Sequence, residues 1–254
     1  MLELKGLYKT FNAGTVNEKR AINGLDLTLE DGDFVTVIGG NGAGKSTMLN
    51  LISGVFPADA GTITLNGVDI TNLPEHKRAR YLGRVFQDPM MGTAATMGIE
   101  ENLALANRRG KSRGLARGIT AQERTLYKQQ LATLGLGLEE RMTSKVGLLS
   151  GGQRQALTLL MATLKKPELL LLDEHTAALD PKTAETIMVL TGKVVKEKKL
   201  TALMVTHNLR YAVEYGDRLL MLHHGQIVLD KAGEEKAKVT TEGLLEVFNR
   251  YSIL

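Results

Sequence analysis

An α/β fold built on a mostly parallel sheet is what this sequence predicts, and three observations predict it. The runs at residues 34–38 (FVTVI), 169–172 (LLLL) and 200–206 (LTALMVT) are short and almost wholly apolar, the composition of strands covered on both faces. A stretch with helical patterning, residues 182–199, separates two of them, as a crossover between parallel strands requires. Ahead of all three, Leu2 and Leu4, then Leu25, Leu27 and Leu29, alternate with other residues, the period of strands with one buried face, which points to an antiparallel sheet at the amino terminus.

Taken in order, the elements follow from local chemistry. The turn at Glu30, Asp31, Gly32 and Asp33 delivers the chain into the run at 34–38, and glycine and then helix come immediately after it. Asn66 and Gly67 put two residues tolerant of positive φ in the middle of GTITLNGVDI, so residues 61–70 read as a hairpin. From residue 88 to 149 the chain changes character, with Met-rich and basic segments and helical patterning over 121–134, and reads as an inserted helical subdomain. The core then comprises residues 1–87 and 150–230, and a charged, helical tail occupies 231–254.

Composition narrows the function classes. With 43% hydrophobic and 24% charged residues the chain is neither disordered nor a coiled coil. It has no cysteine, so disulfides, thiolate catalysis and Cys-ligated zinc are excluded, and a reducing compartment is expected. No secretory signal marks the first residues, and no apolar run approaches the ~20 residues of a membrane-crossing helix. Residues 108–118 (RRGKSRGLARG) hold five basic residues and no acidic one, against a net charge of +4 for the whole chain. The basicity is thus a local patch, read as a solvated loop with contact to anionic lipid headgroups as the alternative.

Residues 39–47 read GGNGAGKST, a fit to G-x-x-x-x-G-K-[ST] placed after a predicted strand and at the start of a predicted helix, the setting of a phosphate loop. Gly39, Asn41, Gly42, Ala43 and Gly44 are expected to wrap phosphates with backbone N–H groups, in conformations that side chains obstruct. Lys45 can reach the β and γ phosphates of ATP, and Ser46, followed by Thr47, can offer its hydroxyl to Mg²⁺. The core is therefore expected to be a P-loop NTPase. Asp173 and Glu174 end an apolar strand, where carboxylates are rare unless they meet a cation or a water. Asp173 reads as the magnesium ligand and Glu174 as the base that polarises the attacking water.

Residues 149–153 are LSGGQ. With the preceding motifs, this pentamer makes nearly the whole chain resemble the nucleotide-binding subunits of ATP-binding cassette (ABC) transporters. The resemblance implies the ABC ATPase fold, and it implies that Ser150, Gly151, Gly152 and Gln153 act in trans, with their helix dipole, on the γ phosphate held by a second copy. It further implies that Gln87, in VFQDP, contacts Mg²⁺ or the attacking water, that Asp180, in AALD, communicates between the two sites, and that His207, in MVTH, hydrogen-bonds the γ phosphate and positions Glu174. Adenine stacks on an aromatic ahead of the phosphate loop; Phe11 stands at the family's position, and Tyr8 is the alternative. His223 and His224 have no such context and read as a solvated turn.

The sequence departs from the family's pattern at four places. His175 stands where proline is usual, Ala178 where serine is usual, and Ala156 and Met161 where arginine is common. None of these removes a group that touches phosphate, magnesium or water. The implied activity is ATP hydrolysis with Mg²⁺ in a sandwich of two copies, powering uptake of a small solute through separate integral-membrane permease subunits. The implied partners include an extracytoplasmic substrate-binding protein and no nucleic acid, and the implied location is peripheral, on the cytoplasmic face of the membrane. The segments FQDPMMGTAATMGIEENL, LSGGQRQALTLLMATLKKP and LLLLDEHTAALDPKTA resemble bacterial amino-acid importers, some named for tryptophan or tyrosine. Two other classes stay open: a soluble, non-transport ABC ATPase of iron–sulfur assembly or DNA repair, which copurification with a membrane protein discriminates, and a small-molecule kinase, which has no use for LSGGQ.

Overall fold

The computed structural model describes residues 1–111 and 118–252, so residues 112–117 of the basic segment lie outside the described residues. Two compact units make up the chain: Met1–Arg78 with Lys199–Leu254, and Ala79–Lys198. The first unit opens with β1 (Leu2–Phe11), β2 (Lys19–Leu29), β3 (Phe34–Gly39), α1 (Lys45–Ser53), β4 (Ala60–Leu65), β5 (Val68–Asp69) and α2 (Glu75–Arg78). An antiparallel sheet forms in the order β2-β1-β4-β5. Its register pairs Leu2 with Leu29, Leu4 with Leu27 and Leu7 with Leu25, and all six leucines are buried, as their alternation requires. The β4–β5 hairpin closes through Asn66 (φ 48) and Gly67 (φ 77), whose twist matches the strands they join. Arg78 is buried and donates to the carbonyls of Leu51 and Ile52 at 2.6 and 2.9 Å, satisfying last-turn acceptors of α1 that have no partner inside the helix.

The second unit contains β6 (Leu82–Val85), α3 (Ile99–Asn107), α4 (Ala121–Ala132), α5 (Gly151–Leu164), β7 (Leu169–Asp173) and α6 (Pro181–Lys198). β6 and β7 are parallel, with Leu82 opposite Leu169 and Val85 opposite Leu172. The helices share a core in which Ile99 and Leu103 of α3 meet Tyr127 and Leu131 of α4 and Leu157 of α5. A capping box starts α4: the Thr120 hydroxyl accepts from the Glu123 N–H, and the Glu123 carboxylate accepts from the Thr120 N–H, which satisfies two donors that the first turn leaves over.

The chain returns to the first unit as β8 (Ala202–Val205), α7 (Leu209–Glu214), β9 (Arg218–His223), β10 (Gln226–Ala232), α8 (Gly233–Ala237) and α9 (Thr241–Ser252). β3 is flanked by β8 and β9, both parallel to it, and β10 runs antiparallel along β9. All six residues of β3 are buried, which is why its sequence is apolar but for Thr36, whose hydroxyl donates to the Ala212 carbonyl at 3.2 Å. The segment expected as a charged tail begins inside β10 and is no loose appendage. Leu244 of α9 is buried in a cluster with Ile38, Ala212, Leu219 and Met221, and Val247, Phe248 and Tyr251 pack against it, a helical stripe at spacings of three and four residues. Among the described residues no helix is long and apolar enough to cross a membrane.

Candidate functional site

The sequence-predicted residues fall into two groups, one in each unit. In the first unit, β3 pairs with β8 up to Val37 opposite Val205, and the Thr206 N–H donates to the Val37 carbonyl at 3.1 Å. Gly39, still paired with Leu222 of β9, and His207 each lie two residues beyond that last pair, at the carboxyl end of the two strands. Here the chain turns through residues 40–44 into α1. Gly44 has φ 106, and a Cβ built on it would lie 2.5 Å from the Ala21 carbonyl oxygen, so only glycine fits. No side chain caps α1; its first N–H groups are directed at the loop, where an anion can use them. Lys45 is buried and its Nζ donates to the carbonyls of Gly39 at 2.8 Å and Gly40 at 3.0 Å. The ammonium is thus strapped across the loop mouth and can exchange carbonyl oxygens for phosphate oxygens. Ser46 is exposed and Thr47 half-buried, while Asn41 and Gly42 are exposed and Ala43 is buried.

His207 is exposed and is held between two anchored neighbours. Thr206 closes the β3–β8 ladder, and Asn208 caps α7, its Oδ1 accepting from the N–H groups of Arg210 at 3.0 Å and Tyr211 at 3.3 Å. A cavity of about 430 Å³ adjoins the first half of the loop, walled by the end of β9 and by Phe248 and Tyr251 of α9. His224 is exposed in the turn after β9, as read from the sequence, whereas His223 is half-buried with its ring 5.3 Å from that of Tyr251. Burial, then the neighbouring His224, lower the His223 pKa.

Lys19, whose Nζ would lie 3.0 Å from a Cβ on Gly42 of the phosphate loop, pairs with Phe11 at the end of β1; the Phe11 ring is half-buried. It packs edge-on against Phe56, with centroids 5.2 Å apart, and the Lys9 ammonium lies 5.7 Å from its centroid. Asp59 fixes this strand end: it accepts from Lys9 Nζ at 2.7 Å and from the Thr10 N–H at 2.6 Å. Those two bonds, the lysine's first, hold its carboxyl below the usual range. Tyr8 is exposed, with its phenol end over Gly24.

In the second unit the parallel register of β6 and β7 brings Gln87, two residues past β6, to the same carboxyl end as Asp173 and Glu174. Asp173 Oδ2 accepts from Arg84 Nη2 at 3.2 Å, and the Arg84 guanidinium also covers the Phe86 ring at 4.6 Å. The Phe86 carbonyl accepts from Gln155 Nε2 at 3.2 Å, so buried Gln155 of α5 holds the peptide preceding Gln87. Gln87 and Asp88 themselves are exposed.

The LSGGQ segment forms the start of α5. The Ser150 hydroxyl accepts from the Gln153 N–H, and Gln153 Oε1 accepts from the Ser150 N–H, both at 3.2 Å. This capping box leaves the N–H groups of Gly151 and Gly152 without a carbonyl four residues back, and both residues are open enough for an external anion to approach. Gly152 has a second reason to be glycine: a Cβ there would lie 2.3 Å from Thr183 Cγ2 of α6. Asp180 caps α6. Its Oδ1 accepts from the Thr183 N–H at 3.1 Å, bonding to Thr183 keeps its carboxyl below the usual range, and Pro181 opens the helix as a first-position proline does. His175 is 2% exposed, and burial pushes it down to about 4. Ala178 is exposed, while Ala156 is buried and Met161 half-buried against the helical core, so side chains at these last two serve packing.

Sequence reasoning missed Arg84, Phe56, Asp59 and Gln155. Only Arg84 carried a signal, a lone basic residue in an apolar strand.

Three comparisons bear on this arrangement. The family model described as "ABC transporter" matches residues 22–177. A tyrosine transport ATP-binding protein of Clostridioides difficile (strain R20291) is 48% identical over 248 residues, 98% of this chain and 98% of its own. The lipoprotein-releasing system ATP-binding protein LolD of Ruegeria sp. (strain TM1040) is 35% identical over 89% of this chain and 97% of its own. Among solved structures, a dimeric ATP-binding cassette in a post-hydrolysis state, bound to ADP and Pi, matches with a TM-score of 0.77 at 30% identity, over 91% of this chain and 98% of that one.

Proposed function

Because this chain belongs to the ABC transporter family and is an ATPase of that family, we propose that it works as one of two copies that sandwich ATP and drive uptake of an amino acid through a separate membrane permease. The observation that carries this reading is the pair of parallel registers. One delivers the phosphate loop and His207 to a common strand end, and the other delivers Gln87, Asp173 and Glu174 to a common strand end. The first set is chemistry for holding phosphates and the second is chemistry for activating water.

In this reading the backbone N–H groups of residues 39–47 and the Lys45 ammonium hold the β and γ phosphates, and Phe11 stacks on adenine. Glu174 accepts a proton from the attacking water as its oxygen bonds to the γ phosphorus and the bond to the β–γ bridging oxygen breaks, releasing ADP and phosphate. His207 donates to the γ phosphate. Ser46, Gln87 and Asp173 offer hydroxyl, amide and carboxylate oxygens, the hard donors that Mg²⁺ takes; when bound, that ion supplies charge to the phosphates.

The first-turn N–H groups at Gly151 and Gly152, with the dipole of α5, suit the γ phosphate of the other copy. Hydrolysis removes the charge that holds the two copies together, and the pair opens. The dimeric cassette among the solved structures supports this arrangement. Residues 88–149 serve as the helical subdomain facing the permease, placing the chain on the cytoplasmic face of the membrane. The tyrosine transport relative, alike along both chains, supports an aromatic amino acid as cargo, delivered by an extracytoplasmic binding protein and selected outside this chain.

The test is to coexpress a tagged chain with its chromosomal neighbours, isolate it from detergent-solubilised membranes, and assay ATP turnover with and without tyrosine in reconstituted vesicles. A copurifying polytopic permease and tyrosine-dependent turnover are expected. Purely soluble partners would move the reading to a non-transport ABC ATPase.

A further inference from the structure

Glu174 has φ 44, a left-handed conformation that strains a non-glycine residue and persists only where its surroundings impose it. One restraint is local: the Ala177 N–H donates to the Glu174 carbonyl at 2.9 Å. The other comes from the next residue. His175 is 2% exposed, and its Nε2 lies 3.0 Å from the Oγ1 of Thr191 on α6. That hydroxyl donates to the Ile187 carbonyl, one turn back in the same helix, at 2.8 Å. The Thr191 hydroxyl thus ties the buried ring to the backbone of α6.

We propose that His175, through Thr191, is a positioning residue that holds Glu174 in its left-handed conformation and so aims its carboxylate at the attacking water. The proposal rests on the reading of Glu174 as the base. Proline, usual at this place in the family, constrains a turn covalently; here a buried hydrogen-bonded ring does it from outside. Without that hydrogen bond the turn relaxes towards negative φ and the carboxylate swings. Displacements of about 1 Å at a reacting group cost about 100-fold in rate, while the phosphate loop and Phe11, which bind the nucleotide, are untouched.

The test uses the full-length chain and compares His175→Leu, His175→Gln, Thr191→Val, Thr191→Ser and Glu174→Gln, measuring kcat and KM for ATP with Mg²⁺ and the Kd of a fluorescent ATP analogue. His175→Leu and Thr191→Val are expected to lower kcat by about 10- to 100-fold with Kd within about twofold. His175→Gln, which keeps a donor at similar reach, and Thr191→Ser, which keeps the hydroxyl, are expected to recover to within about threefold of wild type. If His175→Leu does not fold, the Thr191 pair carries the same comparison with the histidine in place. An inactive Glu174→Gln beside wild-type kcat in His175→Leu and Thr191→Val would overturn the positioning role alone, as would conservative variants no better than the apolar ones. Wild-type turnover in Glu174→Gln would overturn the reading of Glu174 and the positioning role with it.

Discussion

Arg84 Nη2 and Asp173 Oδ2 lie 3.2 Å apart, with the two side chains 12% and 16% exposed. They sit on adjacent parallel strands, β6 and β7, 89 residues apart in sequence. The residue read as the magnesium ligand is therefore charge-compensated and oriented from within its own unit.

Replacing Arg84 by methionine keeps the apolar stem and removes the charge. Removing one partner of a fully buried pair costs about 3–5 kcal/mol; with this residual exposure the expected loss is about 2 kcal/mol. Asp173→Asn in the Arg84→Met background should recover much of that loss, because no uncompensated carboxylate remains. Urea denaturation of the four members of the cycle measures the coupling, and simple additivity would argue against it.

Gly152→Ala places a Cβ 2.3 Å from Thr183 Cγ2, an overlap that forces α5 and α6 to shift or Thr183 to leave its rotamer. Overpacking of this kind costs about 1–3 kcal/mol. Thr183→Ser removes the offending methyl and should restore the melting temperature of the Gly152→Ala protein. A double variant as unstable as the single one would show that the glycine serves something other than this packing.

Phe11→Ala should weaken ATP binding by about 1–3 kcal/mol, roughly 5- to 150-fold in Kd, since it removes both the stacking face and the ring that Phe56 supports edge-on. Tyr8→Ala should change Kd by less than about threefold. Titration with a fluorescent ATP analogue ranks the two, and the reverse order would transfer the stacking role to Tyr8.

His175 introduces a pH dependence of stability with a definite sign. Its folded pKa of about 4 lies below the ~6.5 of an exposed histidine. Above pH 6.5 both states are neutral and this group contributes nothing. As pH falls from 6.5 towards 4, the unfolded chain takes up a proton that the buried ring refuses, and stability is lost, by about 2 kcal/mol between pH 7 and pH 5. Denaturation midpoints at those two values, compared between wild type and His175→Gln, isolate the contribution; equal losses in both proteins would exclude it.

Glu174→Gln should bind ATP as wild type does, lose turnover by at least about 100-fold, and run as an ATP-dependent dimer on gel filtration. A variant that stays monomeric at saturating ATP counts against the two-copy sandwich.

Features that the sequence displayed are those in which one local constraint leaves one residue pattern. β3 is buried on both faces and is an almost wholly apolar run; Asn66 and Gly67 take the positive φ values a tight hairpin demands; GGNGAGKST follows its strand and opens its helix. What stayed hidden depends on partners distant along the chain. Phe56 supports Phe11 from 45 residues away, and Gln155 holds the Phe86 carbonyl from 69, each an ordinary residue until its neighbour is known. Arg84 interrupts an apolar strand, which by itself signals exposure rather than a partner. The stripe of Leu244, Val247, Phe248 and Tyr251 in α9 was masked by the charged residues between them, so a helix that completes the core read as a charged tail. Asp180 differs: Asp-Pro is a legible helix start, and its carboxylate caps α6 through the Thr183 N–H, a bond that a three-residue spacing in the sequence already allows.

The first unit is discontinuous, and this sets a timetable for the ribosome. β3 and the phosphate loop are made early, but their lateral partners, β8 from Ala202 and β9 from Arg218, come some 160 residues later. At ~5–20 residues per second, that is a wait of roughly 10–30 s, during which an apolar strand on the nascent chain has neither neighbour. The second unit, by contrast, is one uninterrupted stretch, Ala79–Lys198, completed within that interval. β3 is thus the strand that the nascent chain must keep from other apolar surfaces until β8 and β9 are made.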